Sequence, residues 1–129
     1  MPASASTRRL RLATLLLLAL PLIAQARPFP ADALRGDLVV TAPPEVRING
    51  QPQRLAPGTR IRDAENRQVL SGTLVGQKRL VHYTRSADGL LREVWLLTPA
   101  EAAVQPWPRT PAEAASWRFD PLGQRWIKP

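Results

Sequence analysis

The residues able to do chemistry are few. The chain holds one histidine, His82, and no cysteine, so any thiol nucleophile is excluded. A serine-based or zinc-based scheme would rest on His82 alone. No H-E-x-x-H, G-x-S-x-G or glycine-rich phosphate loop occurs. Asp63 and Glu65 are the one carboxylate pair close in sequence, and their D-A-E-N context reads as a solvated turn rather than an acid/base couple. His82 falls in an alternating apolar segment, which reads as a packed strand residue. These residues point to a non-catalytic chain with no metal and no cofactor. The enzymatic alternative is a small hydrolase or lyase acting on cell-wall or polysaccharide substrate, with His82 and a carboxylate as its acid and base.

A second group of residues suits binding. Trp107 with Arg109, Trp117 with Arg118, and Trp126 between Arg125 and Lys128 set a ring beside a cation three times. Such pairs fit a lipid headgroup layer or a sugar face with anionic substituents; the alternative is that the rings cover the open end of a barrel and the cations keep the tail soluble. Arg60 and Arg62 project together from a strand on either side of Ile61. Arg60, Arg62, Trp107, Trp117 and Trp126 are therefore the candidate interaction residues.

These residues belong to a chain of 129, with 22% charged and 44% apolar, enough for one small domain with extensions and too short for two conventional cores. Residues 1–26 have the pattern of an export leader. Arg8, Arg9 and Arg11 precede a run at 12–23 (LATLLLLALPLI), and Ala24-Gln25-Ala26 supplies small residues for cleavage after Ala26. The run is short of the roughly 20 apolar residues a spanning helix needs and contains Pro21, so no transmembrane anchor is expected. Localisation is predicted to be periplasmic or secreted, with no nucleic-acid partner. Three of the 18 basic residues and none of the ten acidic ones lie in the leader, so the exported part carries 15 − 10 = +5. That balance favours an envelope protein, an anionic envelope polymer or a lipid surface as partner.

Residues 27–35 (RPFPADALR) read as a lead-in, 36–103 as a β domain closed by a short capping helix, and 104–129 as a tail rich in proline and tryptophan. Turn signals punctuate the β domain every eight to twelve residues or so, which argues for an all-β fold: a small, partly open barrel or sandwich of about five to seven strands with short C-terminal helical turns. Expected strands are 36–41, stopped by Pro43-Pro44, then 45–48, then 51–55 after the Asn49-Gly50 hairpin turn. Pro52 suits only an edge. A Pro57-Gly58 turn, a strand over 59–63 and a strand over 68–75 bent at Gly72 follow.

The hairpin of 78–85 and 90–97 is the clearest element. A two-residue loop at Asp88-Gly89 sets His82 against Trp95, Thr84 against Glu93 and Arg85 against Arg92. A four-residue loop, 86–89, avoids that like-charge pair and is preferred. Both registers put Val81, Tyr83, Val94 and Leu96 on one face, with Leu80, His82, Thr84, Leu91, Trp95 and Leu97 on the other. TPAEAA then occurs at 98–103 and again at 110–115, each with the threonine, proline and glutamate of a capped helical turn. Three tryptophans bury too little surface to hold 26 tail residues. The first turn is expected to dock, leaving Trp117 and Trp126 mobile or awaiting a partner.

The stretch Ile48-Asn49-Gly50, followed by Leu55-Ala56-Pro57-Gly58-Thr59-Arg60-Ile61-Arg62 and Asp63, resembles an uncharacterised family of small exported proteobacterial proteins, over roughly residues 33–103. The resemblance implies an envelope location and carries no activity or functional residue.

Overall fold

The computed structural model describes residues 26–129, so the expected export leader lies outside the described residues except at Ala26. The described residues hold seven strands, two short helices and a 3₁₀ turn: β1 (Leu34–Ala42), β2 (Glu45–Ile48), β3 (Gln51–Arg62), the 3₁₀ turn (Ser71–Leu74), β4 (Lys78–Arg85), β5 (Leu91–Leu96), α1 (Pro99–Ala102), α2 (Pro111–Ser116), β6 (Arg118–Asp120) and β7 (Arg125–Ile127). Five strands close in a hydrogen-bonded ring in the order β1-β2-β3-β5-β4, and β6 and β7 form a separate hairpin. β4 returns beside β1, which is the Greek-key arrangement. Parallel pairing of β3 with β5 completes the ring. Five-stranded Greek-key barrels include the OB-fold, and such architectures host unrelated ligands, so the ring assigns none.

Period-two patterning explains the interior. Leu34, Leu38 and Val40 of β1, Val46 and Ile48 of β2, Leu55 and Ile61 of β3, and Val81 and Tyr83 of β4 meet Val94 and Leu96 of β5 in one core. Gly36 belongs to the same inward row, where a Cβ would come 2.8 Å from Ile48 Cγ2 and 3.2 Å from Tyr83. The absence of a side chain there lets β1 pair with β2 and β4 at once. Asn49 and Gly50 have φ of 51° and 78°, as the expected hairpin turn requires. Pro52 lies where β3 has β2 but not β5 beside it.

Four local expectations are corrected. β1 begins at Leu34, two residues early, because Leu34 and Arg35 already pair with Tyr83 and His82. Pro57-Gly58 does not separate two strands; β3 runs through it with a register shift between Leu55 and Arg60. The Thr59 hydroxyl donates to Leu91 O at 2.8 Å and holds the irregular segment against β5. The expected strand at 68–75 is a 3₁₀ turn instead. Thr73 donates to Leu70 O through both its N–H (3.1 Å) and its hydroxyl (2.7 Å), so local side-chain bonding wins over a ladder.

The β4–β5 register is the other correction. His82 faces Trp95 and Thr84 faces Glu93, as the shorter loop requires, but a bulge after Thr84 sets Arg85 against Leu91. The bulge removes the like-charge pair that had favoured the longer loop. It also turns Leu91 inward, into the core with Val94 and Leu96.

Candidate functional site

The outer face of the ring carries a row of four residues across four strands. Arg35 of β1 faces His82 of β4, His82 faces Trp95 of β5, and Trp95 faces Arg62 of β3. The lead-in and the tail close over the middle of this row. Phe29, Ala33, Trp95, Trp107 and Trp126 form a second buried cluster, with Trp117 and Phe119 packed against it. The Trp107 ring stacks on His82 at 4.1 Å between centroids, while Phe29 meets His82 edge-on at 4.4 Å. Trp107 Nε1–H donates to Ala33 O at 2.9 Å, and Arg35 N–H donates to Pro108 O at 2.8 Å.

The expectation of a mobile tail end is therefore corrected. Trp126 is 5% exposed, as is Trp107. The tryptophans are not acting alone, since the lead-in contributes Phe29 and the barrel contributes Trp95 to the same cluster. The candidate binding residues divide accordingly. Trp107 and Trp126 are packing residues, and Trp117 is half-buried with Lys128 Nζ 5.0 Å over its ring. Arg60 is exposed and Arg62 half-buried, on the outer side of β3 beside Glu93 and Trp95. Neither arginine makes an ion pair among the described residues.

Arg35 is the residue the sequence reading missed. It ends the lead-in by position, yet it is 4% exposed. Its guanidinium donates to the carbonyls of Glu101 (3.0 Å), Ala102 (3.3 Å) and Val104 (2.9 Å) at the C-terminal end of α1, where a cation is favoured. Its Nε donates to His82 Nε2 at 3.1 Å. Burial, helped by Arg109 and opposed by Glu101, lowers the Arg35 pKa to about 10, so the group stays charged at neutral pH.

Because His82 Nε2 accepts from a guanidinium, the neutral ring carries its proton on Nδ1. Among the described residues Nδ1 has no hydrogen-bond partner. Burial, then the nearby charges of Arg35 and Arg27, push the imidazole pKa down to about 2. A general base needs an accessible nitrogen and a pKa near the working pH; His82 has one nitrogen occupied, a ring covered on its face, and a cation for its neighbour.

Arg27, Glu101 and Gln124 also carry more than their local sequence suggests. Thr98 and Glu101 complete the expected capping box around α1. The Glu101 carboxylate also receives Arg27 Nε at 2.9 Å and Nη2 at 2.6 Å. Arg27 further donates to Asp63 O and Leu96 O, each at 2.7 Å. Burial pushes the Glu101 carboxyl up, but the bonds from Arg27 and Thr98 outweigh it and hold the group below its ordinary value. The second TPAEAA copy makes half a box: Thr110 Oγ1 accepts from Glu113 N–H, while the Glu113 carboxylate accepts from Arg109 N–H.

No family model, curated protein or solved structure matches the chain. Among the described residues, no three His, Asp or Glu side chains converge as metal ligands, and no helix is long and apolar enough to cross a membrane. A groove of 680 Å³ lies between Ala26, Arg27, Ala64, Thr98, Pro99 and Glu101, and His82 does not line it. What the arrangement can do chemically is hold the barrel, the lead-in and the tail as one unit, leaving its surplus cations outside.

Proposed function

We propose that the chain is an exported, non-catalytic module of the bacterial cell envelope that docks on an anionic envelope component. The observation that carries this reading is the distribution of charge partners. Among the described residues, ion pairs occupy Asp32, Asp37, Glu45, Asp63, Glu65 and Glu101. Arg47, Arg60, Lys78, Arg85, Arg118 and Arg125 remain exposed and outside those pairs. The positive balance of the exported part is thus presented to solvent, where it attracts polyanions and anionic surfaces in a salt-dependent way. The leader pattern supports an exported chain, and without cysteine such a chain is held by packing alone.

The hydrolase alternative calls for His82 beside a carboxylate in an open pocket. Arg35, Phe29 and Trp107 occupy those places, which favours the binding reading.

Expression of the full chain in a bacterial host, with fractionation and intact-mass analysis, tests the proposal. The expected product begins at Arg27, leaves the cytoplasm, and pellets with the envelope at low salt but not at high salt. An uncleaved cytoplasmic product, or an exported one that ignores the envelope at low salt, overturns it.

A further inference from the structure

The β6–β7 hairpin has two unlike faces. Phe119 and Trp126 face each other across it and pack into the aromatic cluster. The pairs Arg118 with Ile127 and Asp120 with Arg125 alternate with them and look outward. Ile127 is 45% exposed, and Leu122 at the tip is 98% exposed. A leucine almost wholly in water, with Arg118 and Arg125 on the same short hairpin, needs a reason.

The tip is held in this pose. Gln124 has φ of 51°, and its side-chain amide binds the lead-in at both ends: Phe29 N–H donates to Oε1 at 2.8 Å, while Nε2 donates to Phe29 O at 3.4 Å. The same Nε2 donates to Pro121 O at 3.0 Å, and Leu122 N–H donates to Asp120 Oδ1 at 3.2 Å. These bonds anchor the turn to the core and leave Leu122 projecting.

We infer that this hairpin is the contact site for an anionic lipid surface, with Leu122 and Ile127 entering the headgroup boundary while Arg118 and Arg125 meet lipid phosphates. The inference rests on the envelope reading and names the partner. Charge complementarity selects it: Arg118, Arg125 and exposed Lys128, none in an ion pair among the described residues, outweigh the one outward carboxylate of the hairpin, Asp120, which lies opposite Arg125. Area argues the same way, since two apolar side chains fall far short of the roughly 1,000 Å² a specific protein interface needs. A lipid surface requires only a shallow apolar insertion and nearby cations. Lys128 and half-buried Trp117 lie beside the hairpin, and both types suit the water–lipid boundary.

The test is co-sedimentation of the protein recovered from periplasmic extract with two sets of vesicles, phosphatidylcholine alone and phosphatidylcholine mixed with phosphatidylglycerol. Near-UV circular dichroism checks that each variant keeps the native aromatic packing. Partition is expected on the anionic vesicles only, and reversed by salt. Leu122→Asp should weaken it about tenfold or more, and the pair R118Q/R125Q by about 25-fold, about fivefold for each cation. Equal partition onto both vesicle types, or folded variants that bind like the parent, overturns the inference. Binding to whole envelope without binding to anionic vesicles would sink the hairpin assignment and leave the envelope reading standing; binding to neither sinks both.

Discussion

Arg35 Nε donates to His82 Nε2 across 3.1 Å, joining a buried guanidinium on β1 to a buried imidazole on β4. A second cation is unwelcome there, so the folded protein keeps His82 neutral, and the cost of that choice is readable in the pH dependence of stability. The folded imidazole pKa is about 2 against an ordinary 6.5. Below the unfolded value the unfolded chain takes up a proton that the folded chain refuses, so stability falls as pH falls. Between pH 7 and pH 5 this contributes a loss of about 2 kcal/mol. His82→Gln keeps an acceptor for Arg35 and removes the titration. Urea unfolding followed by tryptophan fluorescence should show the parent losing that much more than the variant over this interval; equal losses would mean that the imidazole is not excluded from protonation.

The Arg27–Glu101 pair predicts a stability effect of its own. The two side chains are 12% and 13% exposed and meet at 2.6 Å. Removing one partner leaves a largely buried charge without its mate, and Glu101→Ala also removes the carboxylate from the capping box, for a loss of about 3 kcal/mol. Arg27→Ala should cost a similar amount. The double variant should be less destabilised than the sum, with a coupling of about 1.5–3 kcal/mol in a double-mutant cycle. Additive losses would show that the pair does not act as a unit. Since the Glu101 pKa is lowered by folding, its contribution is present above the unfolded carboxyl value and lost as pH falls through the folded one.

Local signals account for much of the ring. Asn49-Gly50 fixes one hairpin, alternation sorts Val81, Tyr83, Val94 and Leu96 to the interior, and both threonines of the TPAEAA copies cap helices. What sequence reasoning could not see is long-range. Arg27 and Glu101 are 74 residues apart, as are Ala33 and Trp107. Nothing near Arg35 announces that its guanidinium will close the end of α1. Weighing the tail tryptophans alone hid the decisive contribution of Phe29, which lies in what reads as an unstructured lead-in. The bulge after Thr84 was hidden too, although the awkward Arg85–Arg92 pairing was its one visible trace.

Gly36 is a test of how tightly β1 is gripped. A methyl group at this position meets Ile48 Cγ2 at 2.8 Å and Tyr83 at 3.2 Å, both in the packed interior, so neither can move freely. Gly36→Ala should destabilise the protein by about 1–3 kcal/mol, the usual cost of overpacking. In an Ile48→Ala background the obstructing Cγ2 is gone, and the same substitution should cost clearly less. An unchanged penalty in that background would place the strain elsewhere.

The tail tryptophans are expected to separate into two classes by stability. Trp107 stacks on His82, meets Phe29, Phe119 and Trp126 through their ring edges, and donates to Ala33 O. Trp107→Ala should therefore cost about 3–5 kcal/mol. It also uncovers His82, so the imidazole pKa should rise toward its ordinary value, a change that NMR titration of the ring reads directly. Trp117 is half-buried, with the Lys128 ammonium over its ring; an exposed cation–π contact of this kind contributes about 0.5–1 kcal/mol. Trp117→Ala should accordingly stay within about 1.5 kcal/mol of the parent and leave the His82 titration where it was. Equal effects of the two substitutions on stability and on the imidazole would contradict a tail that seals the Arg35–His82 row through Trp107.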